Sequence, residues 1–352
     1  MSTSGGAAKK QAPRDQMLDG YRAIAAMGVV LGHVIAFRFQ DFFTGNLSVL
    51  NRMASPLAET GVHLFFAISG YIITSLLMRE EGKAGRINIK AFYARRTIRI
   101  WPPFFAYLLV ILLLNEQEYL SQDLTGILSA GAFICNTGLT ECGWWVAHSW
   151  SLAVEEQYYL LWPLLFIVLG SPHRERGLVA ILLVLAIWFL LFPRRWHSNA
   201  ISFACIAMGA LYASSPNLRS IVLKLARWWL WIPAILLVLL IPQYATQIKV
   251  EILTPLLIVY ILFATRQFPV ICLILESRPF QWVGAASYSL YLWQQLFLAH
   301  PDLYNSSPLP IWGLPIATCA SLFLVERPAI RMARRASAWL NRQTKPSAPR
   351  TT

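Results

Sequence analysis

Charge is what this 352-residue chain has little of: only 13% of its residues are Asp, Glu, Lys or Arg, against roughly 25% in a soluble domain. Acids are the scarcer sign, 17 Asp and Glu against 30 Lys and Arg. Five cysteines are few, and no Cys/His spacing of a metal site accompanies them. There is no Gly-rich phosphate loop, no internal repeat and no appended soluble domain. These absences remove the common routes to a soluble nucleotide-binding enzyme or a zinc protein, and no bound cofactor or metal is expected. What is present is apolar. Hydrophobic residues make up 57% of the chain and mean hydropathy is +0.51. They recur in runs of about 16–20 residues, as in an integral membrane protein.

The runs predict about ten helical crossings, over 18–37, 60–78, 100–115, 151–169, 177–193, 198–213, 228–242, 250–265, 284–300 and 309–325. A weaker segment, Leu124–Cys135, is too short to cross and reads as re-entrant or interfacial. An even number of crossings puts both termini on one side. That side then holds all but five of the 30 Lys and Arg, the exceptions being Arg38, Arg52, Arg194, Arg195 and Lys249. The bias of basic residues makes that side cytoplasmic. The expected fold class is thus an all-α polytopic membrane protein with both termini cytoplasmic. Its expected parts are a disordered tail over 1–17, a transmembrane domain over 18–326 and a basic cytoplasmic tail over 327–352. The formal charge of +13 and pI near 9.8 follow from this bias, so the expected partner is a lipid bilayer and not nucleic acid. Cys135 and Cys142 fall in an exported loop, where a disulfide is chemically open to them.

Ionisable residues inside the apolar runs are the candidates for function. Arg22 and His33 lie eleven residues apart in the first run. On a helix they share a face to within roughly 20° and stand about 16 Å apart. Arg22 then sits near the inner surface and His33 toward the outer one, with Asp19 three residues before Arg22 to neutralise it. Arg22 snorkelling to headgroups and His33 gluing helices are the simpler alternatives. His148–Pro163 opens the fourth run with His148, Ser151 or Leu152, Glu155, Tyr158 or Tyr159, and Trp162 at helical spacing. Glu155 and Glu156 project about 100° apart, so only one readily faces a given cavity. Their expected depth matches that of His33, and a carboxylate beside an imidazole is the usual support for general-base catalysis. Arg95, Arg96 and Arg99 precede the third run and suit bidentate phosphate contacts, although such arginines also anchor topology or bind anionic lipid. Ser69 and Gly70 read as close-packing residues. Tyr288, Tyr291, Gln294 and Gln295 bring polar groups into a late run.

Together these stretches resemble the integral-membrane acyltransferases of the acyltransferase-3 type, which O-acylate surface glycans. The resemblance runs from Leu18 to about Arg327 and rests on Leu18–Ala23 with His33, on Phe65–Thr74, Arg95–Ile100, Trp150–Pro163 and Ser287–Trp293. It implies a bacterial cytoplasmic membrane protein of the multi-pass kind. The co-substrate it implies is acyl-CoA, most commonly acetyl-CoA, and the acceptor is a hydroxyl on a glycan or glycolipid. Catalysis would fall to His33, oriented by Glu155. The substrates would be held by Arg22, Arg95, Arg96, Arg99, Asp19, Glu156, His148 and Tyr291. The family often has Asp where His63 stands and His where Gln294 or Gln295 stands. Some relatives carry an extra exported hydrolase-like domain, so this membrane domain is expected to complete the transfer alone. A polytopic transporter of a glycan or anionic substrate is the alternative, and it would show paired broken spans in two repeated halves.

Overall fold

A computed structural model of the chain describes residues 15–39, 42, 48–191, 197–244 and 249–343. Among these residues the structure is helical and has no strand, only an isolated bridge between Leu120 and Tyr304. Helix α1 runs over Gln16–His33 and continues as a π turn, Val34–Arg38. Helices α2 (Ser48–Ala84) and α3 (Ile89–Glu116) follow. The short α4 (Leu124–Gly131) and α5 (Trp144–Ala147) lead into α6 (Ser149–Leu191). Then come α7 (His197–Ser214), α8 (Pro216–Leu225), α9 (Trp228–Tyr244), α10 (Thr254–Ala264) and α11 (Pro269–Leu275). Helix α12 (Arg278–Phe297) precedes α13 (Gly313–Ala320), which passes through a π turn, Ser321–Glu326, into α14 (Arg327–Gln343).

Four stretches are long and apolar enough to cross a membrane: Gln16–Arg38, Leu50–Ala84, Ile89–Glu116 and Gly313–Gln343. The number rises to six if Ser198–Ser214 with Pro216–Leu225, bent by 99°, and Glu251–Gln267 with Pro269–Leu275, bent by 104°, each count as one. Both bends fall where a proline opens the next helix, the position its missing N–H tolerates. The expected crossings over 151–169, 177–193, 228–242 and 284–300 are helical where described, up to Phe297 in the last, but are not among these stretches. The weak segment forms the eight-residue α4, capped by Asp123, whose carboxylate accepts from the Thr125 N–H.

Helices approach closely where side chains are missing. A Cβ on Gly70 would strike the carbonyl oxygen of Ile206, and one on Gly209 that of Ala67, so α2 and α7 cross backbone to backbone. Helix α6 is two helices hinged at Gly170, whose φ of +62° suits only a residue without a Cβ. Just past the hinge, Arg174 makes a bidentate pair with Glu81 at 2.6 and 2.7 Å and lies over the Phe166 ring at 3.5 Å.

Of the expected basic tail over 327–352, the structure describes residues as far as Gln343. Residues 327–343 are helical, and Ala329, Ala333 and Ser337 form the small face that packs α14 against α3. Asn88 donates to the Asn341 side chain at 2.9 Å and to the Leu340 carbonyl at 3.4 Å. The expected tail over 1–17 becomes helix at Gln16, and residues 1–14 and 344–352 lie outside the described ones. At the opposite end of the bundle, Arg38 donates to the carbonyls of Ala299 and Leu309. There Cys135 and Cys142 are joined in a disulfide.

Candidate active site

A partly open cavity, about 850 Å³ with the solvent space at its mouth included, lies among α1, α2, α3, α6 and α12. Each helix contributes residues at its own repeat: Phe65, Ser69 and Ile72 from α2, Arg96, Arg99 and Ile100 from α3, and Ser151, Glu155 and Tyr159 from α6. Helix α12 adds Ser287, Tyr288 and Tyr291, and α1 adds Arg22. Three guanidinium groups and one carboxylate thus share one chamber inside an apolar bundle. Glu155 accepts from the Ser69 hydroxyl at 2.6 Å, and Tyr159 donates to the same Ser69 oxygen at 3.1 Å. Arg96 lies 4.8 Å from the Tyr159 ring centre, a cation–π placement. Arg96 and Arg22 are both electrostatic neighbours of Glu155. Tyr291 shares a 2.6 Å hydrogen bond with Ser151 and donates to the His148 carbonyl at 3.2 Å.

The structure turns three expected binding residues away from this chamber. Arg95 pairs with Glu80 at 3.0 Å and donates to Ser337 at 2.7 Å, because it projects about 100° from Arg96 and so faces α14. Glu156, displaced from Glu155 by the same angle, accepts from the Trp101 indole at 3.1 Å. Asp19 is buried one turn from Arg22, with its backbone carbonyl against Gly284, and is not part of the cavity wall.

His33 lies elsewhere. Its Nδ1 is 2.5 Å from Oε1 of Gln294, and its ring packs near Phe37 and Trp144. The expected orientation by Glu155 has no counterpart among the described hydrogen bonds of His33, whose partner is an amide of α12. The reason is depth. Glu155 shares a chamber with Arg22, and His33 is about 16 Å further along α1. The neighbour at His33's own level is His148, about 10 Å along α6 from Glu155. His148 is 4% exposed, wedged between the Tyr107 and Tyr291 rings, and neither ring nitrogen has a hydrogen-bond partner among the described residues. His63 is half-buried on α2 and makes no hydrogen bond to these groups.

Ser69 is the main site residue hidden in the sequence, where it read as packing beside Gly70; only Gly70 has that role. Glu326 is another. It is 1% exposed in the π turn and accepts from Ser289 at 2.8 Å. Its one sequence signal is a carboxylate at the close of the last apolar run. Among the described residues no group of three or more His, Cys, Asp or Glu could hold a metal ion.

Comparison with known proteins gives this arrangement a context. No solved structure matches the chain. A Staphylococcus aureus (strain COL) protein named Putative O-acetyltransferase SACOL0978 is 30% identical over 178 residues, 45% of this chain and 26% of that protein. O-acetyltransferase OatA of Staphylococcus aureus (strain NCTC 8325 / PS 47) is 29% identical over 189 residues, 48% of this chain and 28% of that protein. The matched stretch is thus little more than a quarter of either relative's length. The family model Acyl_transf_3, described as an acyltransferase domain, matches residues 15–325. That span takes in every helix that lines the cavity as well as the His33–Gln294 pair, and on it the chain belongs to the acyltransferase-3 family.

Proposed function

We propose that this chain is a membrane O-acyltransferase. It would move an acyl group, acetyl in the first instance, from acyl-CoA to a hydroxyl of a surface glycan or glycolipid at the bacterial cytoplasmic membrane. One observation supports the reading above the others: Arg22 and His33 stand on one helix about three turns apart, the first in a chamber with Arg96 and Arg99, the second beside its own hydrogen-bond partner. The three guanidiniums would hold the coenzyme A phosphates by charge-assisted hydrogen bonds, from the cytoplasmic side on the expected orientation. The pantetheine arm would then run along the chamber toward His33. The imidazole would take the proton from the acceptor hydroxyl as its oxygen attacks the thioester carbonyl. The C–S bond breaks, and the departing thiolate regains a proton from the imidazolium. General-base help of this kind is worth roughly 10²–10⁴-fold.

Glu155 takes a different role from the expected one. It would hold Arg22 and Arg96 in place at the donor site, with Ser69 and Tyr159 fixing its carboxylate. His148, with two unpartnered ring nitrogens beside Tyr291, would receive the acceptor. The names of the relatives support O-linked acetyl as the first donor to try.

The test uses the full chain in lipid nanodiscs with radiolabelled acetyl-CoA and a panel of glycan acceptors. Release of free CoA that depends on acceptor, with label appearing on the glycan, is the expected result. Acceptor movement across the bilayer without CoA turnover would overturn the proposal in favour of transport.

A further inference from the structure

Two glutamines on α12 make a buried chain of amides that ends on His33. Gln294 and Gln295 are 0% and 3% exposed. Gln295 Nε2 donates to the backbone carbonyl of Trp144 at 2.7 Å. A carbonyl oxygen only accepts, so this bond decides which end of the Gln295 amide faces α5. Its Oε1 must then point the other way, where it accepts from Gln294 Nε2 at 3.3 Å. That leaves Gln294 Oε1 as the atom 2.5 Å from His33 Nδ1. An amide oxygen also only accepts, so Nδ1 carries the hydrogen. A neutral imidazole has one N–H, and Nε2 is left with the lone pair. The direction of the whole chain follows from one backbone acceptor and not from an arbitrary placement of amide atoms.

Resting on the acyltransferase reading above, we propose that Gln294 and Gln295 are positioning residues for His33. Their relay, anchored on Trp144, holds the imidazole in its Nδ1–H tautomer and presents Nε2 as the base. In a hydrolase triad a carboxylate does this work; here a neutral amide does. As Nε2 takes the proton of the acceptor hydroxyl, the Nδ1–H to Oε1 bond becomes charge-assisted and strengthens. The amide supplies no counter-charge, so the imidazolium must pass its proton on, and the thiolate released when the C–S bond breaks is the base that receives it. Gln295 matters through Gln294. Without its Oε1 the Gln294 amide can turn over and present its NH₂ to Nδ1, which favours the tautomer with a protonated Nε2 and removes the base.

Two measurements on the full chain in nanodiscs test this. The first is steady-state kinetics of Gln294→Leu, Gln294→Glu and Gln295→Leu. Gln294→Leu should lower kcat by about 10–10²-fold and leave the KM for acetyl-CoA within about threefold. Gln294→Glu should recover most of the rate, because a carboxylate oxygen also accepts from Nδ1–H. Gln295→Leu should fall between them. The second is ¹⁵N NMR of histidine-labelled protein, with His33→Ala identifying the His33 signals. Wild type should show a protonated Nδ1 and a bare Nε2, and Gln295→Leu a mixture of tautomers. A protonated Nε2 in the wild type, or a Gln294→Leu kcat within about threefold of it, would overturn the relay. If Gln294→Leu does not fold, the wild-type spectrum and Gln295→Leu still decide. Should His33→Ala keep full transfer activity, the acyltransferase site itself is misread. Should it abolish transfer while the glutamine variants leave kcat unchanged, the relay alone fails.

Discussion

Arg95 and Arg96 are neighbours in sequence with separate destinations in the structure, and exchanging each for glutamine should separate donor binding from stability. Arg96 lines the chamber over Tyr159 beside Glu155. If it contacts a coenzyme A phosphate, its loss removes a charge-assisted hydrogen bond worth about 1.5–3 kcal/mol, a rise of roughly 10- to 150-fold in donor Kd. Arg95 pairs with Glu80, and the two side chains are 33% and 21% exposed. A partly exposed pair of this kind contributes only about 0–1 kcal/mol. Arg95→Gln should therefore leave donor affinity nearly unchanged and lower the unfolding temperature slightly through weaker docking of α14. Isothermal titration of each purified variant with a non-hydrolysable acyl-CoA analogue reads the first effect, and thermal unfolding reads the second. Equal weakening of donor binding by both substitutions would refute the division of the cluster. So would an unaltered Kd in Arg96→Gln.

Other outcomes follow from the same geometry. His33→Ala should abolish transfer with expression near normal, and activity close to wild type would remove the base from the mechanism. Gly70→Ala places a methyl against the Ile206 carbonyl, so α2 and α7 must part at a cost of about 1–3 kcal/mol; an unaltered unfolding temperature would show that the contact is loose. Ser69→Ala removes the hydroxyl donor of Glu155 and should raise the donor KM by about fivefold or more, from a loss of about 1–3 kcal/mol. A change confined to acceptor KM would argue that Glu155 serves the acceptor instead.

The parts of the site that were readable in advance lie within single helices. Arg22 with His33, Arg96 with Arg99, and Ser151 with Glu155 are each set by helical repeat alone. Pairing between helices was not readable. Nothing in a one-dimensional pattern tells whether Glu155 stands level with His33 or with Arg22, because the depth of α6 depends on where its first turn begins. That start is at Ser149, after the short α5, so Glu155 lands two turns below His148. The contacts of Arg95 with Glu80 and Ser337 were hidden for a related reason: with no knowledge of α14, no partner marked which side of α3 faces it. The bends at Pro216 and Pro269 were equally hidden, since proline fits the first turn of a new helix as well as the end of an old span.

The two clasps between α2 and α6 have a mechanical consequence. One is the Ser69 hydrogen bond to Glu155, the other the Arg174 pair with Glu81, on opposite sides of the Gly170 hinge. Each half of α6, on either side of that hinge, is thus fastened to α2 at one point, and sliding of either half along α2 undoes its own clasp. This wall of the chamber is expected to move least. Any widening needed to admit a bulky thioester then falls to the facing wall of α1, α3 and α12. Crosslinks between α2 and α6 should accordingly leave turnover intact, whereas crosslinks from α12 to α3 should stop it.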